Sequence, residues 1–486
     1  MNIELSQIIG YLLPAFVWIF GIGITARLAF KKQAVSVTLA WLLIIFMIPI
    51  FGIIAYLILG EIKLGRRRGE SFKKLAPLYT EWFSSFDQCS NLTLSNEKLR
   101  FKPLFALSRY RVGIPCVLNN ELHILNSAES IIQTMIQDIE QAQKSIYMTF
   151  YIWSDGGLVN DLTSALIRAA KRGVRIQILL DSVGSKHFLG SRNYRYLLDN
   201  GIRIEEALHA NLFRMFFRRV DLRQHRKIVV IDDNISYTGS MNMVDPRYFK
   251  QHAEVGQWID IMVRIEGPVS LILQGVHSWD WQMETNEDVA LLPQCPLLQH
   301  KPDDSHGVQI LPSGPGFPQD LMTQSLLLAI SSARHSITIT SPYFVPSSTI
   351  AESLATASIR GVEVKLILPE KNDSFLVEWA SRTFFDELLE AGVKIYRFEN
   401  GLLHTKSILI DSRLALVGTV NMDARSFMLN FEVTMIVDDL RFGQEVEALQ
   451  TAYLAQSSLM DAQVWYRRPI YKRFFERLFF LFSPLL

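Results

Sequence analysis

Two stretches of the chain carry the same polar residues at the same spacing. Each has a histidine, a lysine two residues later, an aspartate, a glycine followed by a hydroxyl residue, and an asparagine. The residues are His225, Lys227, Asp232, Ser240 and Asn242 in the first stretch, and His404, Lys406, Asp411, Thr419 and Asn421 in the second. Two long copies that agree at every polar position indicate shared chemistry rather than coincidence.

A pocket that held both copies would suit a phosphodiester substrate. The two lysines can neutralise phosphoryl oxygens, and the hydroxyl and amide side chains of the motifs can orient them. One histidine can attack phosphorus while the other protonates the leaving alkoxide, and then deprotonates the acceptor that releases the covalent intermediate. The near symmetry of the motifs leaves the nucleophile open, and we favour His225 because an insertion precedes it in its half of the chain.

Four carboxylates accompany the motifs. Each imidazole needs a partner that fixes its tautomer. Asp260 and Glu432 lie in corresponding later apolar runs and are predicted to orient the histidines. Asp232 and Asp411 are predicted to hold the backbone and lysine geometry of the motifs rather than to perform chemistry.

No metal or other cofactor is expected. The motifs contain no carboxylate cluster of the kind that holds Mg²⁺, and two lysines beside two histidines would repel a zinc ion. Cys89, Cys116 and Cys295 are scattered and odd in number, so neither a disulfide framework nor a zinc site is predicted.

The elements around the motifs repeat as well. Short apolar runs alternate with helical patterns that end at glycines, which predicts two α/β domains of one design. The predicted strands are 145–151, 175–180, 202–204 and 228–231, matched by 336–340, 363–368, 393–395 and 407–410, and the first helices are 158–170 and 349–358. A strand that carries His-x-Lys would place both side chains on one face. We assign a connector to 63–115 and the domains to 116–295 and 296–486, joined by a linker over 291–309.

The N-terminal end is apolar. Residues 8–26 and 35–59 are each long enough to cross a bilayer core of about 30 Å, which predicts a pair of transmembrane helices within residues 1–62. A cleaved signal peptide fits poorly, because no basic residue precedes the first run. Basic residues flank the second run on both sides and cannot share one side of the membrane if both helices cross it. The larger cluster, after residue 62, favours a cytoplasmic catalytic part.

Two further segments mix arginines with aromatic residues. The insertion at 211–219 is either a solvated surface loop or a flap that meets lipid headgroups and acyl chains. The segment 465–482 is predicted as a basic interfacial helix, with a helix docked on the protein's own core as the alternative.

The paired motifs resemble the phospholipase D superfamily, and the whole chain resembles its bacterial cardiolipin synthases. The resemblance rests on residues 221–227, 245–249, 313–316 and 403–406, together with the apolar N-terminal pair and the aromatic, basic C-terminal end. It implies two similar α/β domains that form one shared active site, preceded by two transmembrane helices in the cell inner membrane. It also implies transfer of a phosphatidyl group between two phosphatidylglycerol molecules through a phosphohistidine, giving cardiolipin and glycerol. The catalytic residues that it carries over are His225, Lys227, Asp232, His404, Lys406 and Asp411.

Other functions stay open on the sequence alone. A membrane hydrolase of the same superfamily would release phosphatidic acid instead. A nuclease is disfavoured, because 49 basic and 48 acidic residues leave the chain nearly neutral and no nucleic-acid partner is expected. A non-catalytic membrane scaffold conflicts with two intact motifs.

Overall fold

The structure is a computed structural model that describes residues 5–31, 35–61, 64–86, 100–209, 219, 221–287 and 306–480. Among the described residues, five helices precede the repeated part: α1 (Leu5–Phe30), α2 (Val35–Met47), α3 (Pro49–Leu59), α4 (Arg66–Ser85) and α5 (Lys102–Val112). The protein divides into two compact units, of which the smaller contains α1 to α3 and the larger contains both halves of the repeat.

The first half of the repeat contains nine strands and five helices among its described residues. Its strands are β1 (Val117–Leu125), β2 (Ser145–Phe150), β3 (Arg175–Asp181), β4 (Arg203–Ala207), β5 (Arg223–Gln224), β6 (Ile228–Ile231), β7 (Ile235–Gly239), β8 (Trp258–Ile259) and β9 (Met262–Glu266). Its helices are α6 (Ala128–Gln141), α7 (Leu158–Lys171), α8 (Lys186–Leu189), α9 (Arg192–Asp199) and α10 (Val269–Thr285).

The second half repeats this order. Its strands are β10 (His306–Ser313), β11 (Ser336–Thr340), β12 (Phe344–Val345), β13 (Glu363–Pro369), β14 (Lys394–Phe398), β15 (Leu402–Leu403), β16 (Ser407–Ile410), β17 (Leu414–Gly418), β18 (Met422–Asp423), β19 (Asn430–Asp438) and β20 (Ser457–Leu459). Its helices are α11 (Leu321–Ser332), α12 (Ser348–Ile359), α13 (Phe375–Glu390), α14 (Ala424–Met428), α15 (Leu440–Leu454), α16 (Ala462–Tyr466) and α17 (Ile470–Phe480).

One mixed sheet runs through both halves. Its order is β20-β14-β13-β11-β16-β17-β19-β10-β1-β9-β7-β6-β2-β3-β4, and the halves join where β1 pairs antiparallel with β10. The strands β9, β7, β6, β2, β3 and β4 follow one another in the same order as β19, β17, β16, β11, β13 and β14. The prediction of two α/β domains of one design is therefore confirmed. Every residue of β6 and β16 is buried, as their continuous apolar sequences indicate.

Helix α4 packs on the first half through aromatic rings. The ring centroids of Phe72 and Tyr79 each lie 5.1 Å from that of Trp279 in α10. The Tyr79 hydroxyl donates to Gln282 over 2.7 Å. From Ser71 onward, α4 is thus part of the larger unit. The predicted linker falls mainly on residues 288–305, which lie outside the described residues.

The apolar N-terminal segment departs from the expected helix pair. The second run is two helices, because α2 ends at Met47 and α3 begins at Pro49. Pro49 has no N–H to continue the hydrogen bonding of α2. Among the described residues no helix is both long and apolar enough to cross a membrane, which leaves the predicted pair of crossing helices unsupported.

The C-terminal segment also differs from the single helix expected. It forms α16 and α17, separated around Pro469. Helix α17 packs on α13, where the ring of Phe480 lies 5.4 Å from that of Phe384 and the ring of Phe479 lies 6.0 Å from that of Trp379. Its other side is open, since Ile470 is 83% exposed.

Candidate active site

The two histidine motifs meet where the halves exchange short strands. The residues just before His225 form β5, which runs parallel to β19 of the second half. The residues just before His404 form β15, which runs parallel to β8 of the first half. Each motif is thereby aligned against a strand of the other half. The carboxylate that the histidine meets lies within that strand, as Glu432 does in β19, or directly after it, as Asp260 does after β8.

The backbone N–H and the Nδ1 atom of His225 both bond to the second half. Its backbone N–H donates to the carbonyl of Phe431 over 2.9 Å. Its Nδ1 lies 2.8 Å from Oε2 of Glu432. Because an ionised carboxylate can only accept, this contact assigns the ring proton to Nδ1 and leaves the Nε2 lone pair for chemistry.

His404 has the mirror-image environment in the first half. Its backbone N–H donates to the carbonyl of Ile259 over 2.8 Å, and its Nδ1 lies 2.7 Å from Oδ1 of Asp260. The ring of Trp258 packs 4.3 Å away, centroid to centroid. The structure therefore brings both predicted orienting carboxylates to the histidines, with each carboxylate in the half opposite to its histidine.

The His-x-Lys residues do not lie in regular strands as expected. His225 to Lys227 connect β5 to β6, and the second motif likewise connects β15 to β16. The reason is that polar groups of these residues form hydrogen bonds within the motif. The Lys227 ammonium donates to the carbonyl of His225 over 2.8 Å, and that of Lys406 donates to the carbonyl of His404 over 2.6 Å.

Burial sets the charge state of the two histidines and the two lysines of the motifs. It lowers the pKa of His225 and of His404 to about 4, against the raising effect of the carboxylate that each histidine faces. It lowers the pKa of Lys227 to about 7 and that of Lys406 to about 8. Near neutral pH both imidazoles are uncharged, and the lysines are close to losing their protons.

The two carboxylates are ionised. Burial by itself raises the pKa of Asp260 and of Glu432. The facing histidines and the lysines outweigh that effect and bring both pKa values below their ordinary range. Glu432 also accepts from the hydroxyl of Thr419 and, over 3.1 Å, from the amide of Asn430.

The hydroxyl and amide residues of the motifs have fixed contacts. Ser240 accepts the N–H of Ile261 over 3.0 Å, and Thr419 accepts that of Val433 over 3.0 Å. The Oδ1 atom of Asn242 accepts the N–H of Ile152 over 3.1 Å. Asn421 differs, since its Oδ1 is buried and lacks a partner among the described residues.

The motif aspartates are not brought to the histidines. Asp232 follows β6 at the end opposite to His225, and its carboxylate accepts the N–H groups of Gln143, Lys144 and Ser145 at 2.7–2.9 Å. Asp411 does the same for residues 334–336, where β11 begins. Both aspartates have positive φ angles, 49° and 52°. The hydrogen bonds of the two aspartates thus fix the turns that lead into β2 and β11.

Sequence reasoning missed the residue between each histidine and lysine. Arg226 is fully buried, donates to Asp280 and, over 3.0 Å, to the carbonyl of Glu432. Its counterpart Thr405 donates to the carbonyl of Ile259 over 3.2 Å. These middle residues therefore fix the opposing strand, a role that the differing residue types, arginine and threonine, gave no sign of.

A ring flanks His225 as well. The Tyr151 ring centroid lies 5.0 Å from that of His225 and 5.7 Å from the Lys227 ammonium.

Metal binding is a separate question. The described residues contain no group of three or more His, Cys, Asp or Glu side chains arranged to hold a metal ion. The Arg/Phe insertion predicted at 211–219 lies outside the part of the chain that the structure describes, except for Arg219, which pairs with Asp221.

Comparison with known proteins agrees with this geometry. Residues 135–262 and 326–451 each match the family described as "Cardiolipin synthase, PLD-like domain", and residues 15–61 match "Phospholipase_D-nuclease N-terminal". The chain is 48% identical to Cardiolipin synthase A of Serratia proteamaculans (strain 568), over 99% of each chain. It is 48% identical to the protein of that name in Yersinia pseudotuberculosis serotype O:3 (strain YPIII), over 96% of this chain and 97% of that one.

A solved structure supports the fold. The phosphatidylserine synthase of Haemophilus influenzae Rd KW20 aligns with a TM-score of 0.52 at 16% identity. The alignment covers 75% of this chain and 93% of the other. At this identity the likeness concerns the arrangement of helices and strands.

Proposed function

The chain belongs to the cardiolipin synthase family of phospholipase D-like proteins, and from that premise we propose that it joins two phosphatidylglycerol molecules into cardiolipin and releases glycerol. The observation that carries the proposal is the reciprocal pair of buried histidines, each held by a carboxylate from the other half. The protein is thus a phosphatidyltransferase.

The first step forms a covalent intermediate. The Nε2 lone pair of His225 forms a bond to the phosphorus of the donor lipid, and the bond from phosphorus to the glycerol headgroup breaks. His404 delivers its proton to the leaving glycerol oxygen. The side chain of His225 is 9% exposed and that of His404 is 3% exposed, which supports His225 as the group that meets the donor.

The second step reverses these roles. His404 removes the proton from a headgroup hydroxyl of the second phosphatidylglycerol, whose oxygen forms a bond to phosphorus while the bond to His225 breaks. Lys227 and Lys406 neutralise the phosphoryl oxygens in both steps. The orientation of these oxygens is supported by the hydroxyl and amide residues of the motifs, Ser240, Asn242, Thr419 and Asn421. Asp260 and Glu432 orient the histidines, while Asp232 and Asp411 act through the turns that position the motifs.

Lipid mass spectrometry on the purified protein tests the proposal directly. Mixed micelles containing phosphatidylglycerol and a chelator should yield cardiolipin and glycerol in equal amounts. Phosphatidic acid alone would identify a hydrolase, and no turnover by the intact protein would contradict both activities. Retention of activity after His225→Ala or His404→Ala would contradict the assigned site.

The pH dependence follows from the lowered pKa values. Both histidines are neutral in the free protein. His404 must therefore take up the proton that it donates when the anionic donor lipid binds. The lysines lose their charge above about pH 7 to 8. Both effects act in the same direction, so kcat/KM should fall about tenfold per unit between about pH 6 and 7 and more steeply up to about pH 9, where the loss of the lysine charges multiplies the loss of the acid. A flat or rising profile would contradict the assignment.

A donor with an activated leaving group separates the two causes. Phosphatidyl-p-nitrophenol needs no acid, so its kcat/KM should stay level below about pH 7 and fall only where the lysines lose their protons. An equal slope for both donors would exclude His404 as the acid.

Acceptor choice is a further part of the proposal. Water at ~55 M competes with a lipid hydroxyl for the intermediate, so the site must exclude water. We assign this to the Arg/Phe insertion, which meets lipid headgroups and acyl chains. The variant F216S/F217S should release several times more phosphatidic acid relative to cardiolipin than the parent protein, measured by mass spectrometry. Tyr110→Ser, which alters an exposed aromatic residue of α5, is the control and should leave the ratio unchanged; an unchanged ratio in F216S/F217S would contradict the role.

The chain is proposed to work at a membrane. The match of residues 15–61 to the phospholipase D N-terminal family, the apolar composition of α1 to α3 and the exposed aromatic residues of α17 support attachment to the inner membrane. The catalytic domains, 116–295 and 296–486, are proposed to lie on the cytoplasmic side, which the basic cluster after residue 62 favours.

A further inference from the structure

The second apolar segment folds back on itself. If residues 35–59 formed one straight helix, its ends would lie about 37 Å apart at ~1.5 Å per residue. Instead Glu61, just after the segment, contacts residues that lie just before it. Its carboxylate accepts from Arg27 over 2.6 and 2.9 Å and lies 3.1 Å from the Lys31 ammonium.

Contacts between α2 and α3 show a hairpin with its turn at Ile48. The rings of Trp41 and Tyr56 meet edge to face at 5.4 Å. Closer to the turn, a Cβ atom added to Gly52 would lie 2.6 Å from Cα of Ile45. Both pairs are centred on the bond between Ile48 and Pro49, which is the register of two antiparallel helices.

Charge is confined to the open end of this hairpin. No Asp, Glu, Lys or Arg occurs from Val35 to Gly60. At the closed end Met47, Ile48 and Phe51 are 73%, 59% and 63% exposed. A closed end that exposes only apolar groups, opposite an end that carries an ion-pair cluster, fits insertion from one water–lipid boundary.

The length of the hairpin decides how deep it reaches. Helix α2 has 13 residues and α3 has 11, so the hairpin is about 20 Å long at ~1.5 Å per residue. The hydrocarbon core is about 30 Å thick. The closed end would therefore stop inside the bilayer, short of the opposite headgroups.

We propose that α2 and α3 form a re-entrant hairpin that enters the bilayer and returns to the same face. The proposal rests on the membrane attachment put forward above and replaces the second crossing helix. It also removes a difficulty of the sequence, because the basic residues before and after the hairpin can then share one side, as the charge bias of membrane proteins favours.

Cysteine labelling from each side of the membrane tests the hairpin. Single cysteines are placed at Phe30, Met47 and Arg66 in an active background that lacks Cys89, Cys116 and Cys295. Phe30 and Arg66 are both highly exposed. A membrane-impermeant maleimide should label F30C and R66C from the same face of spheroplasts or inside-out vesicles, and M47C from neither.

Labelling of F30C and R66C from opposite faces would overturn the hairpin. Release of the protein from vesicles by carbonate, with all three cysteines labelled, would overturn membrane attachment as well, so the two failures are distinguishable. Labelling of both from the outer face would support the hairpin and overturn only the proposed cytoplasmic side.

A matched pair of glycine variants tests the turn itself. Gly52→Leu places its Cβ atom against the backbone of Ile45 and should separate the helices, whereas a Cβ atom added at Gly23 in α1 meets nothing within 4 Å, so Gly23→Leu is the control. In a W41C/Y56C background a short bismaleimide should link the two cysteines efficiently with Gly23→Leu and at least several-fold less with Gly52→Leu. Equal cross-linking in both would contradict the close packing at Gly52.

Discussion

His404→Ala protein should form a covalent phosphatidyl-histidine from phosphatidyl-p-nitrophenol and then stall, whereas His225→Ala protein should form none. The activated donor loses its leaving group without help from an acid, so the first step needs only the nucleophile. Release of the intermediate needs a base for the incoming hydroxyl, which His404→Ala lacks.

With phosphatidylglycerol itself both variants should be nearly inactive. Loss of a general acid–base group typically lowers rates by ~10²–10⁴, and loss of a nucleophile removes the covalent route altogether. The double variant should be no slower than the slower single variant, because the two residues act in one sequence of steps.

The measurement is a burst of p-nitrophenol together with mass spectrometry of the trapped peptide. One equivalent released by His404→Ala, with the adduct on His225, is the expected result. A burst in His225→Ala with the adduct on His404 would reverse the assignment of the two roles. Circular dichroism and thermal unfolding of both variants would show that lost bursts do not reflect lost folding.

The repeated elements could be predicted because their signals are local. Apolar runs between glycines locate β2, β3, β6 and their counterparts within a residue or two. Burial on both faces of the sheet favours apolar residues at most positions of such strands. A glycine in the left-handed region ends the helix before β3 and the helix before β13, at Gly173 and Gly361. The repeated spacing of the polar residues likewise identifies the two motifs without knowledge of the fold.

Contacts between residues that are distant in the chain could not be predicted from the sequence. Asp260 and Glu432 were identifiable as candidates, but their exchange between the halves depends on the pairing of β5 with β19 and of β8 with β15. Nothing local to two-residue strands encodes such pairings. The turn at Ile48 could not be predicted for another reason. Apolar composition is the same in a straight helix and in a hairpin, and a proline such as Pro49 is also tolerated as a kink within one membrane helix.

Exchange of carboxylates between the halves has a consequence for mutagenesis. A substitution in one half should disable the histidine of the other half. Glu432→Gln in the second half should act on His225, and Asp260→Asn in the first half should act on His404. An amide can donate to Nδ1, which favours the tautomer with the proton on Nε2 and removes the lone pair that the chemistry needs.

With phosphatidylglycerol, each amide variant should lower kcat by on the order of 10²–10⁴, the range typical of acid–base groups. The activated donor distinguishes them. Asp260→Asn should keep a full and rapid p-nitrophenol burst, because His225 and Glu432 are intact, and should be slow only in release of the intermediate. Glu432→Gln should lose most of the burst rate, because the nucleophile itself carries the wrong tautomer.

The two variants are matched controls for each other, since each removes one buried charge at an equivalent place in the fold. A purely structural role for the carboxylates would lower burst and turnover together in both proteins. Equal bursts in the two variants would therefore contradict the exchange of partners, and a lost burst in Asp260→Asn with a retained one in Glu432→Gln would make His404 the nucleophile. The expected asymmetry would tie each chemical step to a contact that crosses from one half of the repeat to the other.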